Sequence, residues 1–131
     1  RHAAGFNPRD LSASGLKPIA GQQQLQDAWA AVARVSVKPE VLAYMVDVCR
    51  ATRSAPPVQH GASTRGATAL LAASRALAWL SGRTFVTPDD VKYVATNALA
   101  HRLQLRPEAE LDGITTQAVM ATVLGSLPVP V

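Results

Sequence analysis

Cysteine is almost absent from this 131-residue chain: Cys49 stands alone. A single thiol excludes an intramolecular disulfide, and with only three histidines there is no Cys/His cluster of metal-binding spacing. Aromatic residues make up only 5% (Phe6, Trp29, Tyr44, Trp79, Phe85 and Tyr93), so the core must be built from small and aliphatic side chains. No apolar run is long enough to cross a bilayer, and no leader peptide is visible. A reducing, cytoplasmic setting without a membrane is the expectation that follows. Basic runs are missing too. The 13 Lys and Arg residues are dispersed among 9 acids, and the net charge of +4 reads first as a solvated basic surface, with a nucleic-acid face ranked below it. The chain also lacks a Gly-x-x-x-x-Gly-Lys-[Ser/Thr] loop and an apolar strand ending in Asp-Glu. Phosphoryl transfer needs a phosphate cradle and acids that hold magnesium. The chain is therefore expected not to hydrolyse ATP on its own.

What is present is alanine, in a chain that is 48% hydrophobic. Alanine has the highest helix propensity, and the length suits one domain with a moderate core. The expected fold is all-α, a small helical bundle with room for one very short two-stranded ribbon. Residues 1–20, rich in Gly, Pro, Ser and Asn, read as a connector, and residues 21–131 as the helical domain. The chain begins at Arg1, without a methionine, and is expected to be a piece of something longer.

The apolar spacing predicts a first helix from about Gln22 to Arg34, with Leu25, Ala28, Trp29 and Val32 on one face. A second starts near Pro39 and carries the stripe Val41, Met45, Val48, Cys49 and Thr52. Asp47 and Arg50 can pair along it. Ser54 to Ala62 reads as a loop because Ala55-Pro56-Pro57 cannot continue a helix. The third helix runs from Thr64 to about Ser81, on Ala67, Leu70, Leu71, Ser74, Leu77 and Ala78, with Gly82 as its left-handed stop. The fourth has the clearest start: Thr87 as N-cap, Pro88 at the first position, Asp89 and Asp90 against the dipole, and Val86 with Val91 as a staple. It continues to about Arg102. Pro107 to Leu111 predicts one helical turn, and Ile114 to Leu124 a last helix ended by Gly125. The similar lead-ins Ser36-Val37-Lys38-Pro39 and Phe85-Val86-Thr87-Pro88 are expected to pair as the ribbon.

The most informative segment is Gly61-Ala62-Ser63-Thr64-Arg65-Gly66-Ala67. Ser63 is placed as an N-cap whose hydroxyl accepts from a backbone N–H one turn on. Arg65 then falls in the first turn, where the helix end is already positive and favours anions. A cation there opposes the dipole. A phosphate in front of the helix would account for it; a solvated arginine is the equal alternative. Arg53 either stabilises the end of its own helix or reaches towards this cap. His60 precedes the cap and reads first as backbone support, and His101 as a helix-end cation.

Four blocks stand in order: Thr52-Arg53-Ser54, Gly61 to Ala67, Gly82-Arg83-Thr84-Phe85-Val86-Thr87-Pro88-Asp89-Asp90-Val91, and His101-Arg102-Leu103. Together they resemble the C-terminal lid domain of MoxR-type AAA+ ATPases, over about Val35 to Leu105. The resemblance implies that Arg65 is the sensor-2 arginine that reaches the ATP γ-phosphate, with Ser63 and Thr64 beside the nucleotide and Arg53 and His60 in support. Thr64 departs from the family, which usually has proline there. The resemblance further implies a separate ATPase core bearing ATP and Mg2+, a homo-hexameric ring, chaperone-like work, and partner proteins with von Willebrand factor A domains. The lid of a magnesium-chelatase ATPase subunit has the same general layout and ranks second. A helical nucleic-acid-binding module and a plain interaction bundle are the readings from other classes.

Overall fold

Prolines at first helical positions and Pro/Gly breaks divide the chain into six α-helices among the described residues of the computed structural model, which describes residues 15–130. They are α1 (Gln22–Ala33), α2 (Pro39–Ser54), α3 (Thr64–Leu80), α4 (Pro88–Leu99), α5 (Pro107–Leu111) and α6 (Thr116–Ser126). A 3₁₀ turn, Ala100–Arg102, extends α4. Two short strands, β1 (Val58–His60) and β2 (Gln104–Leu105), pair antiparallel. The all-α bundle with one minimal ribbon is thus the observed class. No helix among the described residues is long and apolar enough to cross a membrane. The turn expected around Asn7-Pro8, and most of the connector, lie outside the described residues.

The chain divides into two units, residues 1–30 and 31–131. In the first, the described part is mainly the N-terminal portion of α1, whose Leu25 and Trp29 are exposed; α1 as a whole has no buried residue. The expected apolar face exists along the helix but is not a core face.

The second unit holds the core. All five residues of the α2 stripe are buried, and Tyr44 joins them. Leu70, Ser74 and Ala78 of α3 face Val91, Ala95 and Leu99 of α4 within one cluster, closed by Val119, Met120 and Val123 of α6. Small residues let α3 and α4 lie close together. Ser74 is tolerated in the core because its hydroxyl donates to the Leu70 carbonyl at 2.8 Å. Burial pushes the Cys49 thiol up, against the lowering effect of Arg53, which marks it as an inert core residue.

Helix ends follow local chemistry. At the end of α3, Arg83 N–H donates to Ala78 O and Gly82 N–H to Trp79 O, both at 2.9 Å. Gly82 has φ +73°, so this is a Schellman closure that needs glycine. At the start of α4, Thr87 and Asp90 form a full capping box. Asp90 also accepts both η nitrogens of Arg83, at 2.6 and 2.5 Å. That bidentate pair, the first cause, holds the Asp90 carboxyl below the usual carboxylate range, with the Thr87 hydrogen bonds adding to it and burial opposing.

Three expectations are corrected. The two lead-ins do not form the ribbon. Ser36 and Phe85 make only a single parallel bridge, with Ser36 N–H donating to Thr84 O and Val86 N–H to Ser36 O. The ribbon is instead β1 with β2, so Ser54–Ala62 is not loop throughout. Arg106 fixes this register by donating from its backbone N–H to Pro57 O at 2.8 Å and from Nε to Pro56 O at 3.0 Å. The last helix starts at Thr116, because the Thr115 hydroxyl accepts from Ala118 N–H, and it runs through Gly125 to Ser126.

Candidate functional site

The start of α3 is held from outside its own sequence. Ala62, fully buried, presents its backbone N–H and carbonyl to the end of α2. Its N–H donates to Thr52 Oγ1 at 2.9 Å, and Arg53 Nε donates to its carbonyl at 2.9 Å. The Thr52 hydroxyl donates onward to Cys49 O at 2.7 Å, which leaves its oxygen oriented to accept from Ala62. Gly61 makes this approach possible. A Cβ there would stand 2.6 Å from the Arg53 backbone nitrogen and 2.7 Å from its Cα. Gly66 does the same on the other side, where a Cβ would meet Leu99 Cδ2 at 3.1 Å and Ala62 Cβ at 3.2 Å. The first turn of α3 is therefore wedged between the ends of α2 and α4.

Ser63 occupies the N-cap position, but its hydroxyl makes no cap hydrogen bond. The Gly66 N–H that it was expected to receive goes to Ser63's own carbonyl at 2.9 Å. The N–H groups of Thr64 and Arg65 find no partner among the described residues. No acid lies in this first turn, whereas α2 has Glu40 and α4 has Asp89 and Asp90. Arg65 is exposed, and among the described residues its side chain makes no hydrogen bond or ion pair. A positive helix end, free donors and a free guanidinium are thus left together. Such a set suits an anion.

Arg53, His60, Ser63 and Thr64 line one open depression of about 510 Å³ with Gln59, Gly61 and Ala62. Arg65 is not in that lining but follows it directly on α3. His101 is exposed beside Thr96, Asn97, Thr116 and Gln117, on a different depression. Thr52, Gly61 and Gly66 lie in segments that the sequence marks out, but the sequence assigns none of the three a role in this contact. Thr52 sits on the apolar stripe of α2 and reads as core; only its neighbour Arg53 and the glycine eight residues later hint at the contact. Among the described residues no cluster of His, Cys, Asp or Glu is placed to hold a metal ion. The donor set here does not fit Mg2+; it fits a phosphate.

Residues 50–123 match the AAA lid domain. The chain belongs to that family. MoxR of Paracoccus denitrificans is 31% identical over an alignment covering 99% of this chain and 44% of that protein. The chaperone MoxR1 of Mycobacterium tuberculosis is 40% identical over 56% of this chain and 19% of its own length. A solved Cytophaga hutchinsonii protein assigned as an ATPase superposes with a TM-score of 0.75 at 31% identity, covering 78% of this chain and 34% of that one. The present chain is thus an AAA+ lid domain of MoxR type. It spans less than half the length of each of these relatives.

Proposed function

We propose that this lid closes over ATP held by a MoxR-type ATPase core and that Arg65 contacts the γ-phosphate. The observation that carries the reading is the exposed Arg65, without a side-chain partner among the described residues, in an acid-free first helical turn. A guanidinium there opposes the dipole unless an anion lies in front of it. Ser63 and Thr64 stand next to the phosphate in this reading, with Arg53 and His60 behind them. Residues 1–20 serve as the connector to the core and residues 21–131 as the lid. ATP brings Mg2+ with it; the acids that hold the metal belong to the core, since this site has none. Hydrolysis removes the γ-phosphate, Arg65 loses its partner, and the lid is released.

The wider reading is a homo-hexameric ring in the cytoplasm whose lid angles follow nucleotide state. Its work is the chaperone-like remodelling or maturation of partner proteins, among them proteins with von Willebrand factor A domains. The name of the mycobacterial relative supports the chaperone part.

The test uses a chain that carries both the ATP-binding core and this lid. Arg65→Ala is expected to lower turnover by about 100-fold, the scale seen when one transition-state donor is removed. Arg65→Lys restores part of it, because an ammonium lacks the planar fork. Affinity for a non-hydrolysable ATP analogue falls more than affinity for ADP. Unchanged turnover in a correctly folded Arg65→Ala protein would falsify the reading.

A further inference from the structure

We propose that Thr52 and Arg53 are positioning residues for Arg65: they clamp the Ala62 backbone on both sides of its Cα and so fix the direction in which the α3 N-terminus presents its arginine. This deepens the proposed γ-phosphate contact and rests on it. The clamp has two jaws on the backbone of one residue, Thr52 Oγ1 on the Ala62 N–H and Arg53 Nε on the Ala62 carbonyl, each at 2.9 Å, so it holds the peptide groups on both sides of the Ala62 Cα. Both jaws come from the last turn of α2, and the residue they hold lies immediately before the N-cap of α3.

The local sequence does not fix this end by itself. Ser63 makes no cap bond and no acid steadies the turn. Without the clamp, no hydrogen bond between α2 and this segment remains among the described residues, and its orientation would rest on packing at Gly61, Ala62 and Gly66. Gly61 shows how close the clamp is, since the backbone of Arg53 fills the space of a Cβ. Arg53 spends Nε on Ala62, and among the described residues its two η nitrogens make no hydrogen bond. It is nevertheless assigned to positioning because its observed bond is to backbone. The consequence for function is geometric. A charged donor that is displaced by about 1 Å can lose about 100-fold in rate. A clamp on the backbone of the residue three before Arg65 controls a displacement of that size.

The experiment is a double-mutant cycle in a chain carrying the core and the lid. Thr52→Val removes one jaw with little change of shape, and Thr52→Ser keeps the hydroxyl. Arg53→Met removes the other jaw on an exposed side chain, so it serves if Thr52→Val does not fold. For each variant, alone and combined with Arg65→Ala, kcat, KM and the affinities for ADP and for a non-hydrolysable ATP analogue are measured. Melting temperature reports folding.

Thr52→Val and Arg53→Met are each expected to lower kcat by about tenfold, and to reduce preference for the analogue over ADP. Thr52→Ser restores both. In the Arg65→Ala background the same substitutions change neither quantity, because there is no arginine left to aim. An effect of equal size in both backgrounds overturns the positioning role and, for Arg53→Met, makes Arg53 a direct contact. Full activity in folded Thr52→Val and Arg53→Met proteins overturns it as well. Failure of Arg65→Ala itself to lower turnover is the separate result that removes the underlying reading.

Discussion

At the start of α4, Thr87 and Asp90 exchange hydrogen bonds, two aspartates face the helix dipole, and Arg83 locks onto Asp90 through both η nitrogens. At the start of α3, the N-cap hydroxyl makes no cap bond, the first turn holds no acid, and an arginine stands where an acid would stabilise. Both ends begin with a hydroxyl residue in extended backbone: Thr87 at φ −103°, ψ 160°, and Ser63 at φ −78°, ψ 177°. One is complete within the eight residues from Arg83 to Asp90. The other is held by contacts from α2 and α4 and leaves donors unpaired at its tip. A helix start that carries its own cap and acids already has its positive end met by charge from its own chain. The α3 start has been left chemically open, and the fold holds it in place from behind.

The largest effect should come from removing the room on which that support depends. Gly61→Ala puts a Cβ 2.6 Å from backbone of Arg53, which cannot swing aside as a side-chain tip can. A loss of about 3 kcal/mol is expected, at the upper end for overpacking. Gly66→Ala meets a leucine methyl and an alanine Cβ at 3.1 and 3.2 Å, and the helix gains up to about 1 kcal/mol from replacing glycine. It should stay within about 1 kcal/mol of the parent chain. Urea unfolding of both variants separates the cases, and equal stabilities would mean that the α2–α3 contact has slack.

The second test strikes the self-contained end. Asp90→Asn leaves the Arg83 fork facing a neutral amide and weakens the capping box, with an expected cost of about 2 kcal/mol at neutral pH. The pH dependence has a definite sign. Asp90 has a lowered pKa in the folded chain, so its contribution is present above the unfolded value, about 3.9. It is lost as pH falls through the lower folded value. Parent chain and Asp90→Asn should therefore converge in stability as the solution is acidified below about pH 4. A constant gap down to acid pH would show that Asp90 contributes by shape and not by charge.

Most of the α4 end was legible because its signals are adjacent in sequence: Thr87-Pro88-Asp89-Asp90 names its own partners. The Arg83–Asp90 pair was not, although Arg83 lies seven residues from its acid, because the Gly82 turn sets where the guanidinium goes. At the α3 end, the arginine and the N-cap position could be read from the sequence, but the missing cap bond could not, since only the backbone path decides whether Gly66 N–H turns to the hydroxyl or to the carbonyl. The clamp joins residues ten apart through a loop that contains a strand. That strand is three residues long and pairs with two residues far along the chain, below the length at which alternation is a signal. Apolar spacing could anticipate the α2 and α3 stripes because their period is local.

The third test compares the two caps directly. Thr87→Ala should cost about 1 kcal/mol, since its hydroxyl both accepts from Asp90 N–H and donates to its carboxylate. Ser63→Ala should cost less than about 0.5 kcal/mol, because no cap bond is there to lose. Equal costs, measured by thermal unfolding of the two variants, would mean that Ser63 caps α3 in solution and that the α3 start is no more open than that of α4.

The smallest effect is the one that bears most on function. In this chain by itself, Arg65→Ala should raise stability slightly, by about 0.3 kcal/mol, because a cation leaves the positive end of a helix. Alanine adds a little more through its helix propensity. The side chain is exposed and makes no bond among the described residues, so there is little packing to subtract. The gain should shrink as salt is raised, since the repulsion it removes is screened at a solvent-facing helix end. No comparable salt response is expected for Thr87→Ala, whose loss is a hydrogen bond. A fall of more than about 1 kcal/mol would instead place Arg65 among the residues that hold the fold. A loss of hydrolysis in the complete ATPase could then come from a damaged lid and not from a missing phosphate contact. The two measurements therefore belong together: turnover that collapses while the lid becomes no less stable is the combination expected of a residue whose partner lies outside this chain.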